Sequence, residues 1–356
     1  MRVGAVIGMI ALFTGGAAFG AVEREQDSTM TVPVRGEKMI TVTNSRGDIH
    51  IVAQPGRTDV LIEYRKTVKA KDDAEAARLF AMLKLAVTRD SKGIIVSARY
   101  PEETARERSI ISYLMQRYPS LDLEITVTLP PGLDVSALTS SGDVDLAGVS
   151  GSAEATTASG DVEVSGLGGE LMVKTASGDL AVSEVGGDAT LTTASGDITA
   201  QRIKKNAVVQ TATGDIELTD VGGDLTAASV SGDVTAEKVA RVVFSGTSGN
   251  ASFTGVRGGV TAAVTSGDIA VDAEPGSAAN YELRTSSGEV VLRFVKRLPG
   301  GFILKATTTS GEISIDLPIE VSKVGRHQLA GVVREGKSLV VVETASGDIT
   351  VVEGEE

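Results

Sequence analysis

The chain has no cysteine, no tryptophan, two histidines and only 3% aromatic residues in 356 positions. Without cysteine there is no disulfide framework, no thiolate metal site and no thiol for lipid attachment. His50 and His327 are too few for a histidine-based metal site, and no P-loop or nucleophile-elbow string occurs. No aromatic residue stands between Val135 and Val243, which removes the stacking platforms that glycan-binding surfaces commonly use. A net charge of -13 argues against nucleic acid and against anionic lipid as partners. Long apolar runs are missing too, apart from one at the start.

That run reads as a cleavable secretory leader over residues 1–20. It has a single Arg2, then Val6, Ile7, Met9, Ile10, Leu12 and Phe13, then Ala18-Phe19-Gly20 as a small-x-small cleavage site. It is thinned by glycine and stops short of a membrane span. The expectation is an exported protein, periplasmic, secreted or at the cell surface, with no stable membrane insertion after cleavage.

What the chain does contain is a repeat. The phrase TASGD stands at Thr157–Asp161, Thr175–Asp179 and Thr193–Asp197, followed by TATGD at Thr211–Asp215. Its glycine recurs at Gly142, Gly160, Gly178, Gly196, Gly214 and Gly232 in steps of 18, then at Gly249 and Gly267. A fixed period of this kind marks a solenoid. Around Gly196 the apolar or small positions are Ala189, Leu191, Thr193, Ile198, Ala200 and Ile203, and the same offsets hold around Gly178 and Gly214. Spacing by two is the strand period, so each coil carries two short strands with one face buried. A second corner falls half a period away, at Gly169-Glu170, Gly187-Asp188 and Gly223-Asp224. The predicted fold is all-β: a right-handed parallel β-solenoid of about 18 residues per coil, capped by an N-terminal region with one or two short helices.

The predicted organisation is a capping region over 21–133, repeats over 134–317, and a C-terminal cap with a last coil over 318–356. Ile40, Val42, Ile49 and Ile51 around Asn44–Asp48 form an outlying coil, so its Arg46-Gly47-Asp48 string reads as the same turn rather than as an adhesion motif. Val60–Tyr64, Ile94–Tyr100 and Leu121–Leu129 read as strands. Asp72–Leu83 reads as a helix, with Asp72 and Glu75 as a capping box and Ala76, Leu79, Phe80 and Leu83 on one face, serving as a lid over the open end. In the insert 103–118, Ile111, Leu114, Met115 and Tyr118 share a face. The segment 318–337, with His327, reads as irregular.

Stacking brings equivalent residues into columns about 4.8 Å apart. The inward threonines, Thr139, Thr157, Thr175, Thr193 and Thr211, need hydrogen-bond partners in the turn backbone or in one another. The aspartates Asp143, Asp161, Asp179, Asp197, Asp215, Asp233 and Asp268 would repel by roughly 1–3 kcal/mol per neighbour. Either each accepts amides of its own turn, or calcium bridges neighbours through Asp161, Asp179, Asp197, Asp215 and Asp233. The calcium β-roll nonapeptide is incomplete here, with Ala189 and Leu191 where it needs Gly and Asp.

The SGD turns, the entry ITVTLPPGLDV (Ile125–Val135) and the closing GVVREGKSLVVVETASGDI (Gly331–Ile349) together resemble an exported bacterial family of putative adhesins of unknown function with β-strand repeats, and are similar to auto-transporter adhesin head domains. The resemblance implies a right-handed β-solenoid at the cell envelope and supplies no catalytic residues. The expected function is a non-catalytic, adhesin-like scaffold binding an envelope protein or a glycan. The candidate contacts are the outward Thr190, Thr192, Thr199, Thr226 and Thr235 and the insert residues Leu114, Met115 and Tyr118. The rival readings are a polysaccharide-acting β-helix enzyme, a purely structural periplasmic protein and a calcium-laddered β-roll.

Overall fold

The computed structural model describes residues 6–14 as backbone, and residues 22–100, 120–275 and 279–354 with their side chains. The chain divides into two compact units, Met1–Thr175 and Ala176–Glu356. Both are built from β-strands, and the described residues contain one helix.

The first unit contains β1 (Val6–Thr14), β2 (Val22–Pro33), β3 (Met39–Thr43), β4 (Ile49–Ala53), β5 (Asp59–Ala70), α1 (Asp73–Met82), β6 (Lys84–Arg89), β7 (Gly93–Arg99) and β8 (Ser120–Leu129). It continues through β9 (Asp134–Leu138), β10 (Val144–Ala147), β11 (Ala153–Thr156), β12 (Val162–Leu167) and β13 (Leu171–Lys174). Strands that lead into the glycine corner stack in parallel as β7-β3-β9-β11-β13, and those that leave it stack as β8-β4-β10-β12. The register sets Val144 beside Val162 and Ala153 beside Leu171. The first coil in sequence, β3 and β4, is therefore not the outermost. The chain runs out through β5, α1 and β6, lays β7 and β8 on the far side of β3 and β4, and returns as β9 and β10 on the near side.

Beyond β8 the leaving row continues with antiparallel β5, β2 and β1, and beyond β7 the leading row ends with antiparallel β6. The segment read as a leader thus supplies β1. Helix α1 joins β5 to β6 and packs on β5 and β2. Its cap matches the sequence in part: the Glu75 amide donates to Asp72 Oδ1 at 2.8 Å, but the Glu75 carboxylate accepts from the amide of Lys71 at 3.1 Å, one residue before the expected donor. Ala76, Leu79 and Leu83 are buried and Phe80 half-buried, so the apolar face lies where the 3.6 period put it.

The second unit contains β14 (Leu180–Val185), β15 (Ala189–Thr192), β16 (Ile198–Ile203), β17 (Ala207–Thr213), β18 (Ile216–Ser231), β19 (Val234–Ser248), β20 (Ala251–Val256), β21 (Val260–Ser266), β22 (Ile269–Ala273), β23 (Tyr281–Ser287) and β24 (Val290–Phe294). The outer part is β25 (Phe302–Thr307), β26 (Ile313–Asp316), β27 (Glu320–Gly325), β28 (Gln328–Val333), β29 (Ser338–Ser346) and β30 (Ile349–Glu353). Strands β18 and β19 run through the second corner and belong to both rows. Parallel pairing again aligns like with like, as in Ile198, Ile216 and Val234. At this end too the chain overshoots. The last strands in sequence, β29 and β30, insert between β23 and β25 and between β24 and β26. The segment expected to be irregular is instead a hairpin, β27 and β28, paired antiparallel to β25.

Glycine at the repeated corner is required by stacking as well as by conformation. Gly196 has φ +147°, and a Cβ there would lie 2.1 Å from the carbonyl oxygen of Gly178. Gly160, at φ +154°, would meet Gly142 at 2.0 Å. The threonine column bonds to the turn backbone as expected: Thr157 Oγ1 donates to the Gly142 carbonyl at 3.3 Å and Thr211 Oγ1 to that of Gly196 at 3.4 Å. A third corner repeats a left-handed residue at Glu184, Arg202, Asp220 and Lys238, with φ between 56° and 62°. Glycine, which adopts this conformation readily, stands at the same position in Gly148 and Gly166 before them and Gly255 after them, with φ between 67° and 69°.

Candidate functional site

The aspartate column does not cap its own turns. Its carboxylates accept from the following coil: the amide of Asp161 donates to Asp143 Oδ1 at 2.9 Å, and those of Asp215 and Asp233 donate to Asp197 and Asp215 Oδ1 at 2.8 Å each. Asp179 receives the amide of Asp197 at 2.8 Å, and Asn250 takes over the role between Asp233 and Asp268. The reason is directional. Parallel strands bond along the stack, so an amide at a corner also points along the stack, toward the neighbouring coil's side chain. One oxygen of the carboxylates of Asp143, Asp179, Asp197, Asp215 and Asp233 is thereby bound to a backbone dipole, which offsets the repulsion expected between neighbours. The second corner carries the same device, which the sequence reading missed. Asp188 Oδ1 accepts from the amide of Asn206 at 3.0 Å, and Asn206 Oδ1 from that of Asp224 at 2.9 Å. In the first unit Asp134 and Ser152 act likewise toward Ser152 and Glu170. The signal was visible as polar acceptors 18 residues apart after the second corner. Among the described residues no group of three or more His, Cys, Asp or Glu side chains is placed to hold a metal ion.

The outward threonines divide between two surfaces. Thr190 and Thr192 on β15 and Thr226 on β18 stand on the leading row, whereas Thr199 on β16 and Thr235 on β19 stand on the leaving row. All five point outward, but they form no single patch. Leu114, Met115 and Tyr118 lie outside the described residues. His50 does not stand free: its Nδ1 lies 2.5 Å from Asp145 Oδ2, across the register of β4 and β10. Asp48 of the RGD string accepts the amide of Asp143 at 2.9 Å, as any other member of the column does.

A groove of about 630 Å³ lies on the leading row of the second unit, crossing β19, β21, β23, β29 and the end of β25. One line of its wall runs along the stack as Ser245, Ala263, Arg284, Glu343 and Thr307. A second runs as Thr265, Ser286, Ala345 and Thr309. The groove forms where the threonine column fails, since Gly246 and Val264 take its place. At Gly246 a Cβ would meet the Phe244 ring at 2.8 Å, and that ring packs edge-on against Phe253 with centroids 5.8 Å apart. An aromatic pair thus fills the interior while small residues lower the outer surface. Arg284 bridges two strands, 2.9 Å from Glu282 and 3.3 Å from Glu343. Hydroxyls at strand spacing and a clamped guanidinium can hydrogen-bond an extended chain. No histidine or aspartate lines the groove. The break in the column was readable in the sequence, but that it opens outward was not.

The model of the Toastrack DUF4097 family matches residues 13–204, 103–243 and 188–352. The chain belongs to that family. No functionally curated protein matches. Among solved structures, it is similar to a putative adhesin from Bacteroides fragilis at 16% identity and a TM-score of 0.32, covering 91% of this chain and 96% of that one. A putative cell adhesion protein from Clostridium sporogenes matches at 10% identity and a TM-score of 0.18 over 92% and 99%. A putative adhesin from Parabacteroides merdae matches at 11% and 0.23 over 74% and 95%. No helix among the described residues is long and apolar enough to cross a membrane.

Proposed function

We propose that the protein is an exported, non-catalytic, adhesin-like scaffold that binds an extended envelope polymer, a glycan or a protein segment, in the groove of the second unit. The observation that carries this reading is the line Ser245, Ala263, Arg284, Glu343 and Thr307, which sets a polar group on four of five adjoining strands, at about the 4.8 Å strand spacing. A polymer laid along the stack meets such a group on every strand of the line but that of Ala263, and extended faces of this kind are what solenoids commonly use for recognition. The coils are read as right-handed, following the general chirality of parallel crossovers, and as 18 residues long, in keeping with register partners such as Ile198 and Ile216. The leader over residues 1–20 is read as removed on export. Calcium plays no part in this reading, because the turn carboxylates have amide partners.

The test is retention of envelope polysaccharide fractions and peptide pools on the immobilised protein. Ala263→Arg, which fills the groove from an outward position, is expected to lower retention at least tenfold with an unchanged melting temperature. Equal retention by this variant, or no retention of any fraction, would refute the groove. New reducing ends or unsaturated products in the same incubations would favour the enzyme instead.

A further inference from the structure

Strand β2 has β5 on one side and, among the described residues, only β1 on the other. Because β1 lies in the segment read as a leader, this inference rests on that reading. Removal of the leader bares an edge of 12 residues, long enough to template another strand. The edge accepts an antiparallel partner, since Val6, Ile7 and Gly8 sit opposite Thr31, Met30 and Thr29.

The two halves of β2 differ. Glu23, Arg24, Glu25 and Asp27 crowd the first half, whereas Ser28-Thr29-Met30-Thr31-Val32 is uncharged and nearly symmetric about Met30. A second copy laid antiparallel with its two-fold axis at Met30 sets Thr29 opposite Thr31 twice, a favourable cross-strand pair. In that register Asp27 falls opposite Pro33, and within β2 no two charged residues face each other. A register centred on Glu25 would instead oppose Glu25 to itself and Glu23 to Asp27, which is repulsive. Charge therefore selects the uncharged half. We propose that β2 is a self-pairing edge: the leader covers it in the precursor, and after cleavage two copies join antiparallel about Met30 through an isologous interface.

The absence of native cysteine makes the register directly testable. Thr29→Cys and Thr31→Cys are made separately in the chain beginning at Ala21 and in the full chain, with melting temperatures as the folding control. For the chain beginning at Ala21, light scattering should give a dimer mass. Oxidation of a mixture of the two variants should yield covalent dimer at least tenfold faster than either variant alone, because each cysteine then faces the other. The full chain should be monomeric and show no such difference. A monomeric mass for the shorter chain, or equal rates for the mixture and the single variants, would overturn the proposal. The N-terminal mass of the exported protein separates the two readings: retention of Met1 would refute leader removal, while the shorter chain still decides whether the edge self-pairs.

Discussion

At the amino end of the first unit, β3 and β4 lie between β7/β8 and β9/β10; at the carboxyl end of the second, β29 and β30 lie between β23/β24 and β25/β26. In both places the coil nearest the terminus is held on both sides, so the weakest part of a stack, its last coil, is not the part that can fray. The two ends differ in how they close. The first is covered by α1 and antiparallel β5 and β2, with Leu83 buried. The second is flanked by the β27–β28 hairpin, where Val324 is 72% exposed, and Ile313 and Ile315 of the edge strand β26 are only half-buried. The lesson is that interleaving protects a terminus without needing a covering element, whereas an apolar interior needs one.

Removing β29 and β30 by ending the chain at Gly336 should have the largest effect. It takes out an internal coil and leaves β25 and β26 without their parallel partners, for a loss of about 5 kcal/mol and a fall in melting temperature of about 10–20 °C. A truncated chain melting within a few degrees of the full one would break the claim that interleaving protects this end. Within the regular coils, Gly196→Val should cost about 3 kcal/mol or more by chemical denaturation, because φ and the Gly178 carbonyl both oppose a side chain. Gly132→Ala, where a Cβ meets nothing within 4 Å, should change stability by no more than about 0.5 kcal/mol.

Asp197→Ala should cost about 0.5–2 kcal/mol, the range of a lost cap, while Asp197→Asn should cost less, since Asn250 and Asn206 already serve as acceptors. EDTA should leave the melting temperature unchanged; a large drop on chelation would restore the calcium ladder. Inside the widened coils a change of the opposite sign is expected. Tyr281 is buried and its hydroxyl has no hydrogen-bond partner among the described residues, so Tyr281→Phe should stabilise by about 1 kcal/mol. Burial also raises its ionisation above the usual tyrosine range. The neutral phenol is favoured in the fold, so this contribution is intact below about pH 10 and is lost as pH rises further. The Phe variant should lose less stability at alkaline pH than the parent, as urea titrations at two pH values would show.

Much of the repeat was legible because identical spacing forces identical environments. The inward sets around Gly178, Gly196 and Gly214, the threonine bonds and the face of α1 all follow from a period of two or 3.6 read along one segment. The hydrogen-bond direction of Asp197 was not legible, since its partner is set by the neighbouring coil rather than by its own turn. Nor was the division of Thr192 and Thr199 between two surfaces, because the corner between them reverses the outward direction.

By itself the sequence determined the strand period, the glycine corners and the residues that line the interior, since each depends on local conformation and on the burial of alternate side chains. Only the tertiary structure decided the order of coils at the two ends, the outward-opening groove at Gly246 and the direction of the carboxylate bonds. These depend on which strands meet across the stack, and a coil such as β29–β30 carries the same local pattern wherever it inserts.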